Sequence, residues 1–285
     1  MFYKYVFNAQ DIFFHIDDKV CYDYIKRIIP LQDFEEKYYN EYSQIISIVN
    51  NGDNYLVSLK LLGNTVYSKN TSLKESVLLV IEILNYIINE NKNTISFHAS
   101  GFYYKNNVFL FMNKSGSGKT TALLSGLKYL DNCLYFGDDR ILIDNDLNIY
   151  GCLNALSIKK GTISLFKLNH KDLLGPYLKD GVTEYWYYTI DKGYYYVDTL
   201  CCSSTPVHFI IIEYMDGKKL YWKDFRDNKI SQLIKNCYNI KSNTRQCYEI
   251  IRKMAKKIKM YYISYSKIYD LLQWVEKRSQ ENERK

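Results

Sequence analysis

Histidine is scarce in this chain, with four residues among 285. A metal centre built from several imidazoles is disfavoured on that count. Cysteine occurs seven times, an odd number, and no two cysteines stand in a C-x-x-C spacing. A chain of this length needs no disulfide staples, so these thiols point to a reducing, cytoplasmic compartment. Long apolar runs are missing too. The longest, Val77–Ile88, contains Glu82 and Asn85 and is too short and too polar to span a bilayer. The opening MFYKYVFNAQDIFF is broken by Asn8, Gln10 and Asp11, which argues against a secretion signal. No internal repeat is visible.

Apolar residues make up 47% of the chain, enough for a substantial core. The length suits one sizeable domain, or a core with a smaller attachment. The 30 tyrosines, with abundant Asn, Lys and Ile, read as a compositional bias rather than a mechanism. The formal net charge is +7, and Lys253, Lys256, Lys257 and Lys259 carry part of the excess. Such a charge favours polyanionic partners in general. A solvated helix face is the simpler reading of the late lysines.

Local patterns divide the chain near residue 93. Residues 1–93 read as a small N-terminal α/β subdomain. Asn50-Asn51-Gly52-Asp53 between two apolar runs, Gln44–Val49 and Tyr55–Leu59, predicts a hairpin, and a helix is expected near Asp33–Tyr42. Ser72 and Glu75 fit a capping box. They introduce a helix reaching about Asn89, whose apolar residues cover more than one face and suggest burial between two layers. Residues 94–285 form the second region. Strands are expected at Thr94–Ser100, Val108–Met112, Leu134–Phe136, Ile141–Ile143, Tyr194–Leu200, His208–Tyr214 and Met260–Tyr265. Helices are expected over 228–240, Tyr248–Lys259 and Lys267–Arg278, with a frayed tail from Ser279 to Lys285. Val108–Met112 is continuously apolar, as a strand buried on both faces would be.

That strand runs into Asn113-Lys114-Ser115-Gly116-Ser117-Gly118-Lys119-Thr120, followed by a helical pattern from Thr121. Strand, glycine-rich loop and helix in this order predict a P-loop. Gly116 and Gly118 keep side chains clear so that successive backbone N–H groups can wrap a phosphate chain. The positive end of the following helix faces the same phosphates. Lys119 is placed to reach the β and γ phosphates, and the Thr120 hydroxyl to ligate Mg²⁺. The motif ordinarily opens with Gly, and Asn113 stands there instead; Asn tolerates left-handed backbone better than most residues.

Asp138-Asp139 follows an apolar strand and Gly137. Ligands of parallel-sheet proteins collect at such strand ends. One aspartate can hold Mg²⁺ and the other can accept the proton of an attacking hydroxyl. An exposed turn is the plain alternative. Arg140 either neutralises phosphate or pairs with an aspartate. His98, in the preceding strand, either points into the site or is a partly buried structural histidine. His170 and His208 have no supporting context, and Asp144 and Asp146 read as turn residues.

Phe97-His98-Ala99, the loop Lys114–Thr120 and Gly137-Asp138-Asp139-Arg140 together resemble the HPr serine kinase/phosphorylase superfamily, related in its core to phosphoenolpyruvate carboxykinase. The likeness is closest to the short HPr-kinase-like proteins associated with modification of ribosomally made peptides. It spans about Thr94 to Asp146, and Lys256–Tyr265 is similar to the ends of those relatives. The resemblance implies an α/β (α+β) fold, a PEP-carboxykinase/HPr-kinase-like P-loop core with mixed sheets and a small N-terminal subdomain. It implies ATP or GTP and Mg²⁺ as cofactors. Ser115, Gly116, Ser117, Gly118, Lys119, Thr120 and Thr121 would bind nucleotide, with Arg140 and Lys159 or Lys160 touching phosphate. Asp138 would be the catalytic base, with His98 and Lys119 beside it, and Asp139 would support the metal with Thr120. Asn113 sets the chain apart from those relatives. So does the lack of the C-terminal segment that marks HPr kinase/phosphorylases. The expected reaction is therefore phosphorylation of a hydroxyl other than that of HPr, foremost a serine of a precursor peptide or small protein, without phosphorolysis. A small-molecule hydroxyl kinase and a non-catalytic nucleotide-binding module are the alternatives. No nucleic-acid reader motif accompanies the basic stretch. Neither a nucleic-acid nor a membrane partner is expected, and assembly as a homo-oligomer is left open.

Overall fold

A computed structural model describes residues 1–7, 10–34, 44–90, 93–152, 154–179, 182–189, 200–202, 204–225, 228–240 and 244–281. The architecture is mixed α/β, with several sheets and helices. The chain divides into two compact units, Met1–Asn91 and Lys92–Lys285.

The first unit contains β1 (Phe2–Phe7), β2 (Gln10–Ile16), α1 (Lys19–Ile25), β3 (Gln32–Phe34), β4 (Gln44–Asn51), β5 (Asn54–Leu61), β6 (Asn64–Thr71) and α2 (Leu73–Glu90). Its sheet has the order β3-β1-β2-β4-β5-β6. The expected hairpin joins β4 to β5, closing at the Asn51–Asn54 pair with Gly52 at φ 73°. The capping box forms reciprocally: Glu75 N donates to Ser72 Oγ and Ser72 N donates to Glu75 Oε2, both at 3.3 Å. Helix α2 does not bury two layers' worth of surface. Val77, Val80, Ile83, Leu84, Ile87 and Ile88 are buried, while Lys74, Glu82 and Tyr86 are exposed. The i, i+3, i+4 spacing puts the buried set on one broad face. Of the helix expected at 33–42, Asp33 and Phe34 belong to strand β3 and 35–42 lie outside the described residues.

The second unit runs through β7 (Thr94–Phe97), β8 (Ala99–Tyr104), β9 (Asn107–Met112), α3 (Lys119–Tyr129), β10 (Leu134–Gly137), β11 (Ile141–Asp144) and β12 (Asn148–Gly151). It continues with β13 (Leu156–Ile158), α4 (Lys160–Phe166), β14 (Leu173–Lys179), β15 (Thr183–Tyr188), β16 (Leu200–Cys201) and β17 (Val207–Tyr214). It ends with β18 (Tyr221–Asp224), α5 (Lys229–Lys235), α6 (Thr244–Lys257), β19 (Lys259–Tyr265) and α7 (Ile268–Gln280). The main sheet has the order β10-β8-β9-β17-β19-β18. Strands β9, β17 and β19 are parallel, so their carboxyl ends share one edge. A second sheet has the order β16-β12-β11-β7 and a third β13-β15-β14.

Strand β9 is apolar without alternation because both of its faces are covered. Phe109 and Phe111 enter a core with Leu123 of α3 and Trp274 of α7. Val108, Leu110 and Met112 enter another with Ile251 and Met254 of α6. Parallel strands buried on both faces carry such runs.

Three expectations change. The single strand over Thr94–Ser100 is two strands, broken at His98 and assigned to different sheets. The helix over 228–240 ends at Lys235, and the Cys237 backbone bridges to Phe97 instead. Helix α7 continues through Gln280, with Ser279 buried and its hydroxyl donating to Glu276 O, so the tail is ordered further than expected. Most of the strand over Tyr194–Leu200 lies outside the described residues, and only Leu200 is seen to pair, with Ile149. Asp144 does close a turn, accepting from Asp146 N and Asn148 N at 2.9 Å each. No helix among the described residues is long and apolar enough to cross a membrane.

Candidate functional site

The glycine-rich loop leaves the carboxyl edge of the main sheet at β9 and enters α3. Its backbone is held by neighbours on both sides. Tyr214 N, at the end of β17, donates to Ser117 O at 3.0 Å. The Tyr265 hydroxyl, at the end of β19, donates to Gly118 O at 3.3 Å. Gly118 has φ 96°, and a Cβ there would lie 2.6 Å from the Tyr265 hydroxyl. Glycine is therefore demanded twice, by conformation and by space. Gly118 caps α3 without any side-chain cap bond. The first N–H groups of that helix are therefore left without a side-chain cap, as an anion site requires. Ser117 is buried and its hydroxyl has no hydrogen-bond partner among the described residues.

Asn113 adopts φ 152°, a region that favours glycine. Its side chain compensates by joining two elements. Nδ2 donates to Ile212 O of β17 at 2.9 Å, and Oδ1 accepts from Lys114 N at 2.8 Å. Lys119 is buried, and its ammonium donates to Asn113 O at 2.7 Å and Lys114 O at 3.1 Å. The cation thus sits over the start of the loop.

Two chain crossings place the acidic pair. Strands β8 and β10 pair in the main sheet, β7 and β11 in the second. The antiparallel register is the same on both sides of the break, Gly137 opposite Gly101 and Ile141 opposite Phe97. Segments 98–100 and 138–140 therefore lie side by side where the ribbon splits. Asp138 is buried there. Its Oδ1 accepts from the Ser100 hydroxyl at 2.5 Å and from the Thr120 hydroxyl at 3.2 Å, and its Oδ2 accepts from Ser157 N at 3.1 Å. Burial pushes the Asp138 carboxyl above its usual range, and the charge of Asp139 adds to this; the Ser100 and Ser157 bonds oppose it.

Asp139 turns the other way. Its backbone is left-handed, φ 63°, and its half-exposed carboxylate meets His98 Nε2 at 3.2 Å. The His98 ring lies 5.1 Å from the Tyr238 ring. Burial and the Asp139 charge raise the Tyr238 hydroxyl above its normal range. Arg140 is buried, reaches Ser96 Oγ at 3.2 Å and stacks its guanidinium 4.5 Å over Tyr238. These contacts place Arg140 against Ser96 of β7 and Tyr238. A cleft of about 280 Å³ opens beside the loop, lined by His98, Asn113, Lys114, Gln232, Lys235 and Tyr238 among others.

Lys159 is brought to the loop from the N-cap of α4, with Nζ donating to Ser115 Oγ at 3.1 Å. The Thr121 hydroxyl instead meets Thr162 Oγ1 of α4 at 2.9 Å. His208 stands apart, stacked on Phe109 and 2.9 Å from Asn107 Oδ1. Burial lowers its pKa to about 3, with Lys259 and Arg278 contributing, which marks it as a neutral core residue. Ser100, Tyr214, Tyr238 and Tyr265 touch the site or its supports without any motif announcing them. The one available signal was position, since Tyr214 and Tyr265 each end a strand of the parallel set.

Among the described residues, no group of three or more His, Cys, Asp or Glu is disposed to hold a metal ion. Mg²⁺ is usually held by one or two carboxylates together with substrate phosphates. Asp138 and Thr120, 3.2 Å apart, fit that smaller requirement. No protein-family model matches this chain, and no curated protein matches it.

Proposed function

We propose that the second unit is a P-loop phosphotransferase related to the HPr-kinase-like proteins, with the PEP-carboxykinase type of core. It transfers the terminal phosphoryl group of ATP or GTP to a hydroxyl, foremost a serine of a precursor peptide or small protein. The observation that carries this reading is the contact of the Thr120 hydroxyl with the buried Asp138 carboxylate, directly after the glycine-rich loop. A loop hydroxyl paired with a strand-end aspartate is how P-loop enzymes hold nucleotide-bound Mg²⁺.

The geometry favours exchanging the roles first expected of the two aspartates. Asp138 belongs with the metal, because it is buried on Thr120. His98 and Asp139 form the proton-accepting pair, because the imidazole lines the cleft and the carboxylate orients it, the logic of an oriented general base. Lys119 and Lys159 hold the phosphates from two sides. Asp138 and Thr120 would hold Mg²⁺, which would supply charge neutralisation to the nucleotide phosphates. In the transfer, the bond from the γ phosphorus to its bridging oxygen breaks and a new bond forms to the acceptor oxygen. The hydroxyl proton passes to His98. Arg140 and Thr121 act here as structural supports.

The test is calorimetry with Mg-ATP and Mg-GTP, then mass analysis of serine peptides incubated with the protein. Wild type binds nucleotide and adds one phosphate. Lys119→Ala loses nucleotide affinity. Asp138→Asn keeps metal-free nucleotide binding and loses transfer. Failure of wild type to bind either nucleotide at millimolar concentration overturns the proposal. Tight binding with no transfer to any hydroxyl acceptor makes the protein a nucleotide-binding module instead.

A further inference from the structure

The cleft beside the loop carries information about the acceptor. Lys119 bonds the carbonyls of Asn113 and Lys114, so the group that grips the β and γ phosphates sits over the first residues of the loop. Those two residues form one wall of the cleft. The cleft therefore opens at the terminal-phosphate end of the site, where an acceptor must approach.

Further lining comes from α5 and the turn after it, with Gln232, Lys235 and Tyr238. Lys114 and Lys235 are both exposed. Neither ammonium has an ion-pair partner among the described residues. No carboxylate is among the cleft's lining residues, and the Asp139 carboxylate is engaged by His98. Phosphate binding already has Lys119 and Lys159, which leaves the two wall lysines without a phosphate role. At about 280 Å³ the space is below the usual ~300–1,000 Å³ of a small-molecule site and accommodates one or two side chains.

We infer that this cleft binds carboxylates flanking the acceptor serine, so that the substrate is an acidic peptide segment. Lys114 and Lys235, both in the cleft lining, recognise it. The inference rests on the kinase reading for the word acceptor, but peptide binding is measured separately from transfer.

The experiment loads the full chain with ADP and Mg²⁺ and titrates short peptides with one central serine, flanked by aspartates, asparagines or lysines. The acidic peptide binds about tenfold tighter than the asparagine peptide, a difference of about 1.4 kcal/mol. Lys235→Glu abolishes that preference and gives the lysine peptide the advantage. Lys256→Glu, an equal charge change on the exposed side of α6, leaves the preference intact. Equal binding of acidic and neutral peptides overturns the inference, as does a preference that Lys235→Glu does not alter. Equal phosphorylation of both peptides also sinks the inference and leaves the kinase reading standing. Charge-selective binding without transfer from ATP sinks the kinase reading and leaves the anionic cleft.

Discussion

Replacing Asn113 by glycine and by alanine separates two effects that the loop combines. At φ 152° a side chain strains the backbone by about 1–3 kcal/mol. Against this, the Asn113 side chain makes two hydrogen bonds, to Ile212 O and Lys114 N, each contributing about 1 kcal/mol. Alanine loses both bonds and keeps the strain, so Asn113→Ala destabilises by about 2 kcal/mol. Glycine loses the same bonds and relieves the strain, at an entropy cost of about 0.5–1 kcal/mol in the unfolded chain. Asn113→Gly should therefore stay within about 1 kcal/mol of wild type. The gap between the variants is about 1–2 kcal/mol, or roughly 2–8 °C in Tm. Urea denaturation followed by circular dichroism measures it, with Mg-ATP affinity as the functional readout. Equal losses in both variants would refute the claim that the loop begins in strained backbone. A glycine variant much weaker than alanine would show that the asparagine is unstrained.

Gly118→Ala should cost about 1–3 kcal/mol through its backbone alone, and more through overlap with the Tyr265 hydroxyl 2.6 Å from the new Cβ. Adding Tyr265→Phe should recover only the steric part; a Gly118→Ala protein with unchanged melting and nucleotide affinity would contradict the loop geometry. His208 makes the fold sensitive to acid. Its folded pKa is lowered to about 3, so below about 6.5 the unfolded chain binds a proton that the folded chain refuses. Stability from this source is intact above that pH and falls as the pH drops toward about 3, by roughly 2–3 kcal/mol between pH 7 and pH 4.5. His208→Phe should flatten that slope in melting curves taken across the range. An identical slope in the variant would place the acid lability elsewhere.

Much of the site's local form could be read from the chain alone. Strand, loop and helix around Ser115–Thr120 are encoded by a continuously apolar run, glycines where side chains are excluded, and a helical pattern after them. The Ser72–Glu75 box and the hairpin at Gly52 are likewise local devices, and local hydrogen bonding and backbone preference suffice to specify them. The tertiary structure decided what those rules cannot reach. Thr94–Ser100 has the composition of one strand, yet it serves two sheets, because the partners β9 and β11 that claim its halves lie elsewhere in the chain. Asp138 and Asp139 are neighbours of the same chemical type, and only the splitting ribbon makes them differ. One is desolvated against Thr120 and Ser100, and the other is turned by a left-handed backbone toward His98. Lys159 reaches Ser115 across 44 positions of sequence, and Tyr265 closes on Gly118 across 147. Such meetings depend on which strands pair and at what register, and pairing is settled by burial over the whole unit rather than by any short stretch of residues.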